Sequence, residues 1–272
     1  MKPEEIRVGI LRVGGTNCDA ETKRAFDDLG ASAEIVHLNE IVKKGSLLDY
    51  HALVFPGGFS FGDYVRAGAI LAKGLLAKLG GDLKQFVEEE RPILGICNGF
   101  QVLVEAGLLP RFDEVSELPQ AALATNVPIG YRCMWVHLKH ENSGSCIFTK
   151  GIKKGEVLRF PVAHAEGRFM FQREKEKSYL QRLYDDDQLV LRYCDENGEY
   201  AEGEFPVNPN GAFHDIAGIC DSTGTIFGLM PHPERAYYGW QQPDWTRKER
   251  VPKHGDGRLI FESIVEYLSK KF

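Results

Sequence analysis

The sequence predicts an α/β fold: a mostly parallel central sheet, helices on both of its faces, and antiparallel strands added at one edge. Three observations carry that expectation. In the first half, short apolar runs alternate with helix-like stretches, the order that builds a parallel sheet. In the second half, strand-like segments follow one another with only two substantial helical patterns among them. The chain has 272 residues, 43% hydrophobic and 26% charged, enough to bury one large core. No repeat or low-complexity linker divides it, so residues 1–272 are read as a single domain.

Taken in order, 6–11 is apolar and β-prone. A helix over 18–29 follows, capped by Thr16 or Asn17, with Ala25, Phe26 and Leu29 at helical spacing and Gly30 as its stop. Residues 33–36 form a second strand. Ala52–Phe55 is cut off by Pro56-Gly57-Gly58 and reads as a buried strand. Helices are expected over 64–79 and 83–89, a strand over Ile93–Ile96, and a helix over 98–106 that stops at Gly107. Beyond it, strands are expected at Arg132–His140, 156–161, 189–193, Ile216–Cys220 and 226–230. Asp221-Ser222-Thr223-Gly224 turns the last two into a hairpin. The two later helices cover 174–184 and 258–270.

Composition narrows the function classes. A formal net charge of −6 argues against a nucleic-acid or anionic-membrane binder. Arg247, Lys248, Arg250 and Lys253 make one local basic cluster, read first as a solvated loop and second as a partner surface. No apolar run approaches the ~18–20 residues of a membrane span. The start MKPEEIRVGIL lacks the basic, then apolar, pattern of a signal peptide, so a cytoplasmic protein is expected. The six cysteines (18, 97, 133, 146, 194 and 220) are scattered, as for reduced, mostly buried thiols.

Cys97 stands apart. The strand Ile93–Ile96 runs into it and a helix begins directly after, with Gly95 and Gly99 allowing a sharp turn: a nucleophile elbow with Cys in place of Ser. The helix start favours the thiolate. The best base is His232, in Met230-Pro231-His232-Pro233-Glu234-Arg235. In an extended segment His232 and Glu234 point the same way, so the carboxylate can orient the ring. The backbone N–H groups of Gly58 and Asn98 are the natural oxyanion donors. No metal site is expected. A zinc site from Cys133, His137, His140 and Cys146 fits no strong spacing, and His140 would face away from Cys133 and His137 on one strand.

These residues bring a family into view. Gly95-x-Cys97-x-Gly99-x-Gln101, with Pro56-Gly57-Gly58 upstream and His232-Pro233-Glu234 downstream, resembles the class I (triad-type) glutamine amidotransferases. Further motifs resemble the glutaminase subunits of phosphoribosylformylglycinamidine synthases: Gly15-Thr16-Asn17-Cys18-Asp19, Phe55 through Tyr64, Arg66-Ala67-Gly68-Ala69, Ala163 through Phe169, Asn208-Pro209-Asn210-Gly211, and Phe100 before Gln101. The resemblance spans nearly the whole chain. It implies a flavodoxin-like fold, Cys97 as nucleophile, His232 as base and Glu234 as its partner, and a glutamine pocket lined by Gln101, Phe59, Ser60, Gly62 and Asp63. It implies hydrolysis of glutamine to glutamate through a Cys thioester. The ammonia would pass to a separate ATP-dependent synthetase subunit acting on formylglycinamide ribonucleotide in de novo purine biosynthesis.

That large subunit, with or without a small accessory one, is the implied partner. No cofactor is expected on this chain: it has no Walker-type Gly-x4-Gly-Lys-Ser/Thr, so ATP and Mg are expected on the synthetase. Ala165 stands where the family more often has Gly, so the 164–168 loop receives no role, nor do 118–127 and 240–255. The glycines of Pro56–Gly62 make that loop the segment expected to move between states. The alternatives are another class I amidotransferase subunit, a Cys hydrolase of the same sheet topology, or a binding subunit that kept the fold. Asn98 after the elbow Cys, where peptidase-like relatives often have His, and the intact Cys97, His232 and Glu234 set argue against the last two.

Overall fold

In the computed structural model, which describes residues 1–113 and 118–272, short buried strands set the architecture. Strands β1 (Arg7–Arg12), β2 (Ser32–His37), β3 (Ala52–Phe55) and β4 (Ile93–Ile96) precede β5 (Ala121–Ala124), β6 (Arg132–His140), β7 (Val157–His164) and β8 (Arg168–Phe171). β9 (Leu189–Cys194), β10 (Ile216–Cys220) and β11 (Ile226–Leu229) complete the set. Nine of them form one sheet in the order β2-β1-β3-β4-β11-β10-β9-β6-β7. The five from β2 to β11 run parallel, in the order of a flavodoxin-like core. The four beyond β11 add antiparallel. β3, β4 and β11 are buried at every residue, which is why they read as unbroken apolar runs.

The helices are α1 (Asp19–Asp27), α2 (Leu38–Lys44), α3 (Ala69–Glu88), α4 (Asn98–Glu105), α5 (Glu176–Asp185) and α6 (Arg258–Lys271). α1 packs on β1 and β2, α2 on β2, α4 on β3, β4 and β11, and α5 on β8. α1 meets α6 and α3 meets α4. The rings of Phe26 and Phe261 lie edge to face at 5.2 Å. Each is fully buried and contributes about 1.5–3 kcal/mol of apolar burial.

Three details depart from expectation. The N-cap of α1 is Cys18, not Thr16 or Asn17: the Thr16 hydroxyl instead accepts from the Val13 N–H at 3.2 Å. The two helices expected over 64–79 and 83–89 run on as α3 but meet at a kink at Leu79, whose φ of −133° and ψ of 19° are not helical, so the expected division falls where it was read. The start of α3 is delayed to Ala69 because Phe61, Gly62, Asp63, Val65 and Gly68 all have positive φ, which no right-handed helix tolerates. α2 and the two-stranded β5–β8 sheet had no counterpart in the sequence reading, and β5 lies within the segment 118–127. In 240–255, Arg247, Lys248, Arg250 and Lys253 are all exposed, as a solvated loop would have them.

Candidate active site

Three neighbouring parallel strands deliver the site. Phe55 of β3 pairs with Gly95 of β4, and Ile96 of β4 pairs with Leu229 of β11. The chain therefore leaves the sheet at Pro56, Cys97 and Met230 along one carboxyl edge, where ligands of open α/β sheets bind. The Cys97 N–H donates to the Leu229 carbonyl at 2.8 Å and ties the second exit to the third.

Cys97 has φ 51° and ψ −105°, a strained conformation for a residue with a side chain. Its neighbours explain why the turn must be glycine-flanked. A Cβ on Gly95 would lie 2.6 Å from Leu103 Cδ1, and one on Gly99 would lie 1.8 Å from the Phe55 carbonyl oxygen. α4 starts at the next residue. The Cys97 thiol sits 3.7 Å from the Ala163 carbonyl.

His232 is buried, and its Nδ1 is 2.6 Å from Glu234 Oε1. A carboxylate accepts only, so Nδ1 carries the hydrogen and Nε2 is left as the outward nitrogen. Nε2 has no hydrogen-bond partner among the described residues. Burial alone would lower the affinity of this ring for a proton; the Glu234 carboxylate, with help from Cys97 and Cys18, outweighs it and holds the ring well above its ordinary value. The pairing of His232 with Glu234 was expected from an extended strand. His232 is extended (φ −107°, ψ 93°), but the extended path stops there: Pro233 opens a 3₁₀ turn, Pro233–Ala236, that brings Glu234 to the ring.

Neither the Gly58 nor the Asn98 N–H, the two groups expected as oxyanion donors, donates to any described residue. Three of the expected pocket residues, Ser60, Asp63 and Gln101, are joined through Asn98. Its Oδ1 accepts from the Ser60 N–H at 3.2 Å, and its Nδ2 donates to Gln101 Oε1 at 3.0 Å and Asp63 Oδ1 at 3.3 Å. Gln101 Nε2 donates in turn to the Glu166 carbonyl at 2.5 Å. Asp63 is pushed up to about 6 by burial and by the nearby Glu166 charge. Phe59 is half exposed, its ring 6.4 Å from that of Tyr131. Gly62 lies outside this network: it is exposed, and its N–H closes a turn onto the Phe59 carbonyl.

Two parts of the site escaped the sequence reading. The first is Cys18, whose Sγ lies 3.9 Å from His232 Nδ1. The motif Gly15 through Asp19 was visible without a role. The second is the 163–167 segment, which touches both Cys97 and Gln101. Within it His164 is buried, its Nε2 unpartnered, and its affinity for a proton lowered to about 3 by burial and by the charge of His232. Cys133, His137, His140 and Cys146 are not brought together; among the described residues the cluster with metal-ligand spacing is Cys18, His232 and Glu234. There the short bond joins His232 Nδ1 to Glu234 Oε1, while Nε2 and Oε2 have no hydrogen-bond partner among the described residues.

The comparisons with known proteins agree with one another. The family described as the CobB/CobQ-like glutamine amidotransferase domain matches residues 5–268. The chain is 51% identical to phosphoribosylformylglycinamidine synthase subunit PurQ of Archaeoglobus fulgidus, covering 99% of this chain and 100% of that one. It is 45% identical to the protein of the same name from Methanococcus maripaludis, covering 97% and 98%. Among solved structures it is similar to PurLQS from Thermotoga maritima, with TM-score 0.70 and 33% identity over 97% of this chain and 99% of that chain. The chain belongs to the CobB/CobQ-like glutamine amidotransferase family, among the PurQ proteins.

Proposed function

We propose that this chain is the glutaminase subunit of a phosphoribosylformylglycinamidine synthase, acting as one domain over 1–272 and supplying ammonia to a separate ATP-dependent synthetase subunit in the cytoplasm. The observation that carries the chemistry is the β3–β4–β11 register, which supports a single site built from Gly58, Cys97 and the His232–Glu234 pair. The full-length likeness to PurQ proteins supports the pathway and the partner.

In this reading the Cys97 thiolate attacks the side-chain amide carbon of glutamine. The carbonyl electrons move to oxygen, which accepts from the Gly58 and Asn98 N–H groups. His232, charged and held by Glu234, gives its Nε2 proton to the departing nitrogen as the C–N bond breaks. Ammonia leaves and a γ-glutamyl thioester remains. Neutral His232 then takes a proton from water, hydroxide attacks the thioester, and glutamate departs with the thiolate restored. Asn98 and Gln101 keep the pocket wall in register, and Asp63 and Ser60 face the bound amino acid.

The test uses the assembled complex. Cys97→Ala should lower glutamine-dependent synthesis by on the order of 10⁴-fold or more while synthesis from added ammonium persists. An alkylating glutamine analogue should mark Cys97 alone among the six cysteines. Marking of another cysteine, with glutamine turnover intact in Cys97→Ala, overturns the reading.

A further inference from the structure

The segment Gly15 to Cys18 belongs to no part of the chemistry above, yet it touches two of its components. The Gly57 carbonyl accepts from the Asn17 N–H at 3.3 Å and the Cys18 N–H at 3.1 Å. The Phe59 N–H donates back to the Gly15 carbonyl at 2.9 Å, and Thr16 bridges Gly58. In a trans peptide the C=O and the following N–H point in opposite directions. Two donors on the Gly57 carbonyl therefore turn the Gly58 N–H away from the 15–18 segment, and it is one of the free donors of the site. The fit is tight: a Cβ on Gly58 would lie 2.7 Å from the Gly15 carbonyl oxygen and 2.9 Å from the Asn17 nitrogen.

The same segment reaches the base through a side chain. Cys18 is 1% exposed, and its Sγ is 3.9 Å from His232 Nδ1 and 3.4 Å from Asn17 Oδ1. The thiol hydrogen goes to Asn17, so the sulfur offers its lone pairs to the Nδ1–H as a second, weaker acceptor beside Glu234. Gly57 makes the contact close: a Cβ there would sit 3.1 Å from Cys18 Sγ and 2.6 Å from His232 Cε1. Burial pushes the Cys18 thiol up, so it stays neutral and does not compete as a nucleophile.

We infer that Cys18 is a positioning residue for glutamine hydrolysis, its backbone N–H holding the oxyanion peptide and its thiol steadying the His232 ring against Glu234. This rests on the proposed hydrolase function and adds a residue to it. A polarisable acceptor at Nδ1 also favours the charged ring, so its loss should show in the pH dependence as well as the rate. Charged His232 is needed to protonate the leaving nitrogen; if the ring holds its proton less tightly, the alkaline limb of the rate profile moves to lower pH.

The experiment compares Cys18→Ala and Cys18→Ser with the unaltered chain in the complex, measuring glutamine-dependent kcat and KM across pH, with ammonium-dependent synthesis as the folding and assembly control. Cys18→Ala should lower kcat about tenfold, leave KM nearly unchanged and move the alkaline limb down in pH. Cys18→Ser, which keeps a polar acceptor, should recover most of the rate and the limb. A Cys18→Ala enzyme with unaltered kcat and limb overturns the inference. Equal loss in both variants with an unmoved limb overturns it too, since that pattern is packing alone. Cys97→Ala run alongside separates the two readings: if it is inactive with glutamine while Cys18→Ala behaves as unaltered enzyme, only the role of Cys18 fails.

Discussion

The segment after β3 divides into two halves of opposite character. Residues 56–60 are tied down: Gly57 and Phe59 are bonded to the 15–18 segment, and Ser60 to Asn98. Residues 61–65 have positive φ at every position but Tyr64, are tied beyond the segment through the Phe61 N–H to the Gly14 carbonyl and Asp63 to Asn98, and carry the exposed side chains Tyr64 and Val65. The glycines of Pro56–Gly62 were the reason to expect movement between states in this loop. In the proposed function, the half that carries the Gly58 oxyanion donor is held by its neighbours, and the half that carries the proposed pocket residue Asp63 stores the backbone strain.

If that division is right, the largest effect comes from disturbing the fixed half. Gly57→Ala meets no adverse backbone angle, but its Cβ would be 2.6 Å from His232 Cε1. The ring must shift, and a displacement of about 1 Å at a reacting group costs on the order of 10²-fold in rate. We expect that loss in glutamine-dependent kcat, unchanged ammonium-dependent synthesis, and about 1–3 kcal/mol lower stability in a denaturant titration. Retained kcat would mean that the 57–58 peptide is not held against the base.

How much of this was legible in the sequence follows from where each constraint lives. The elbow was readable because its cause is local: Gly95, Cys97 and Gly99 lie within five residues, and two missing Cβ atoms permit the turn. The parallel core was readable because doubly buried strands are continuous apolar runs. The meeting of Cys97 with His232 depends on β4 lying beside β11, a long-range pairing that residue types suggest but no local pattern encodes. The left-handed run at 61–65 was missed because Phe61 and Val65 are not residues that signal positive φ. α2 was missed for a similar reason: its cap is His37, whose Nδ1 accepts from the Asn39 N–H, and histidine is not a usual cap. β5 was hidden by its sequence, Ala-Ala-Leu-Ala, which lacks β-branched and aromatic residues.

A middle-sized effect should come from Asp63, in the strained half. Its carboxyl is pushed up to about 6, so the folded chain binds this proton more tightly than the unfolded chain does. Stability contributed by this group is therefore present below the ordinary carboxylate value and falls as pH rises towards about 6. Asp63→Asn removes that loss. The variant should be more stable than the unaltered chain at pH 7, by about 1 kcal/mol or less because the group is only partly buried, with the difference vanishing near pH 4. For function the sign reverses. The proposed site uses the anion towards the amino group of glutamine, so the glutamine KM should rise about tenfold in the variant. In the unaltered enzyme KM should rise as pH falls below about 6. A KM indifferent to both changes would remove Asp63 from the pocket and leave it a strained loop residue.

The smallest effect is also the sharpest test of what the strain is for. Val65 is a β-branched residue at φ 73°, and it is 91% exposed. Such a residue at positive φ costs on the order of 1–3 kcal/mol, and with its side chain in solvent little contact offsets that cost. Glycine adopts the same angle freely but loses about 0.5–1 kcal/mol more on folding through its extra unfolded freedom. Val65→Gly should therefore stabilise the isolated chain by about 1 kcal/mol, read as a higher midpoint in denaturant with an unchanged slope. If the valine serves only the monomer, glutamine turnover in the complex should be untouched. If instead the 61–65 half is where the synthetase subunit takes hold, the stabilised variant should dock less tightly, and glutamine-dependent synthesis should need a higher concentration of the chain to saturate. Gain of stability with loss of coupling would assign the strain to the partner surface. Gain of stability with full coupling would assign it to the chain path alone. A destabilised variant would break the comparison, because the left-handed half would then be held by its side chains as firmly as the tied half is held by its backbone.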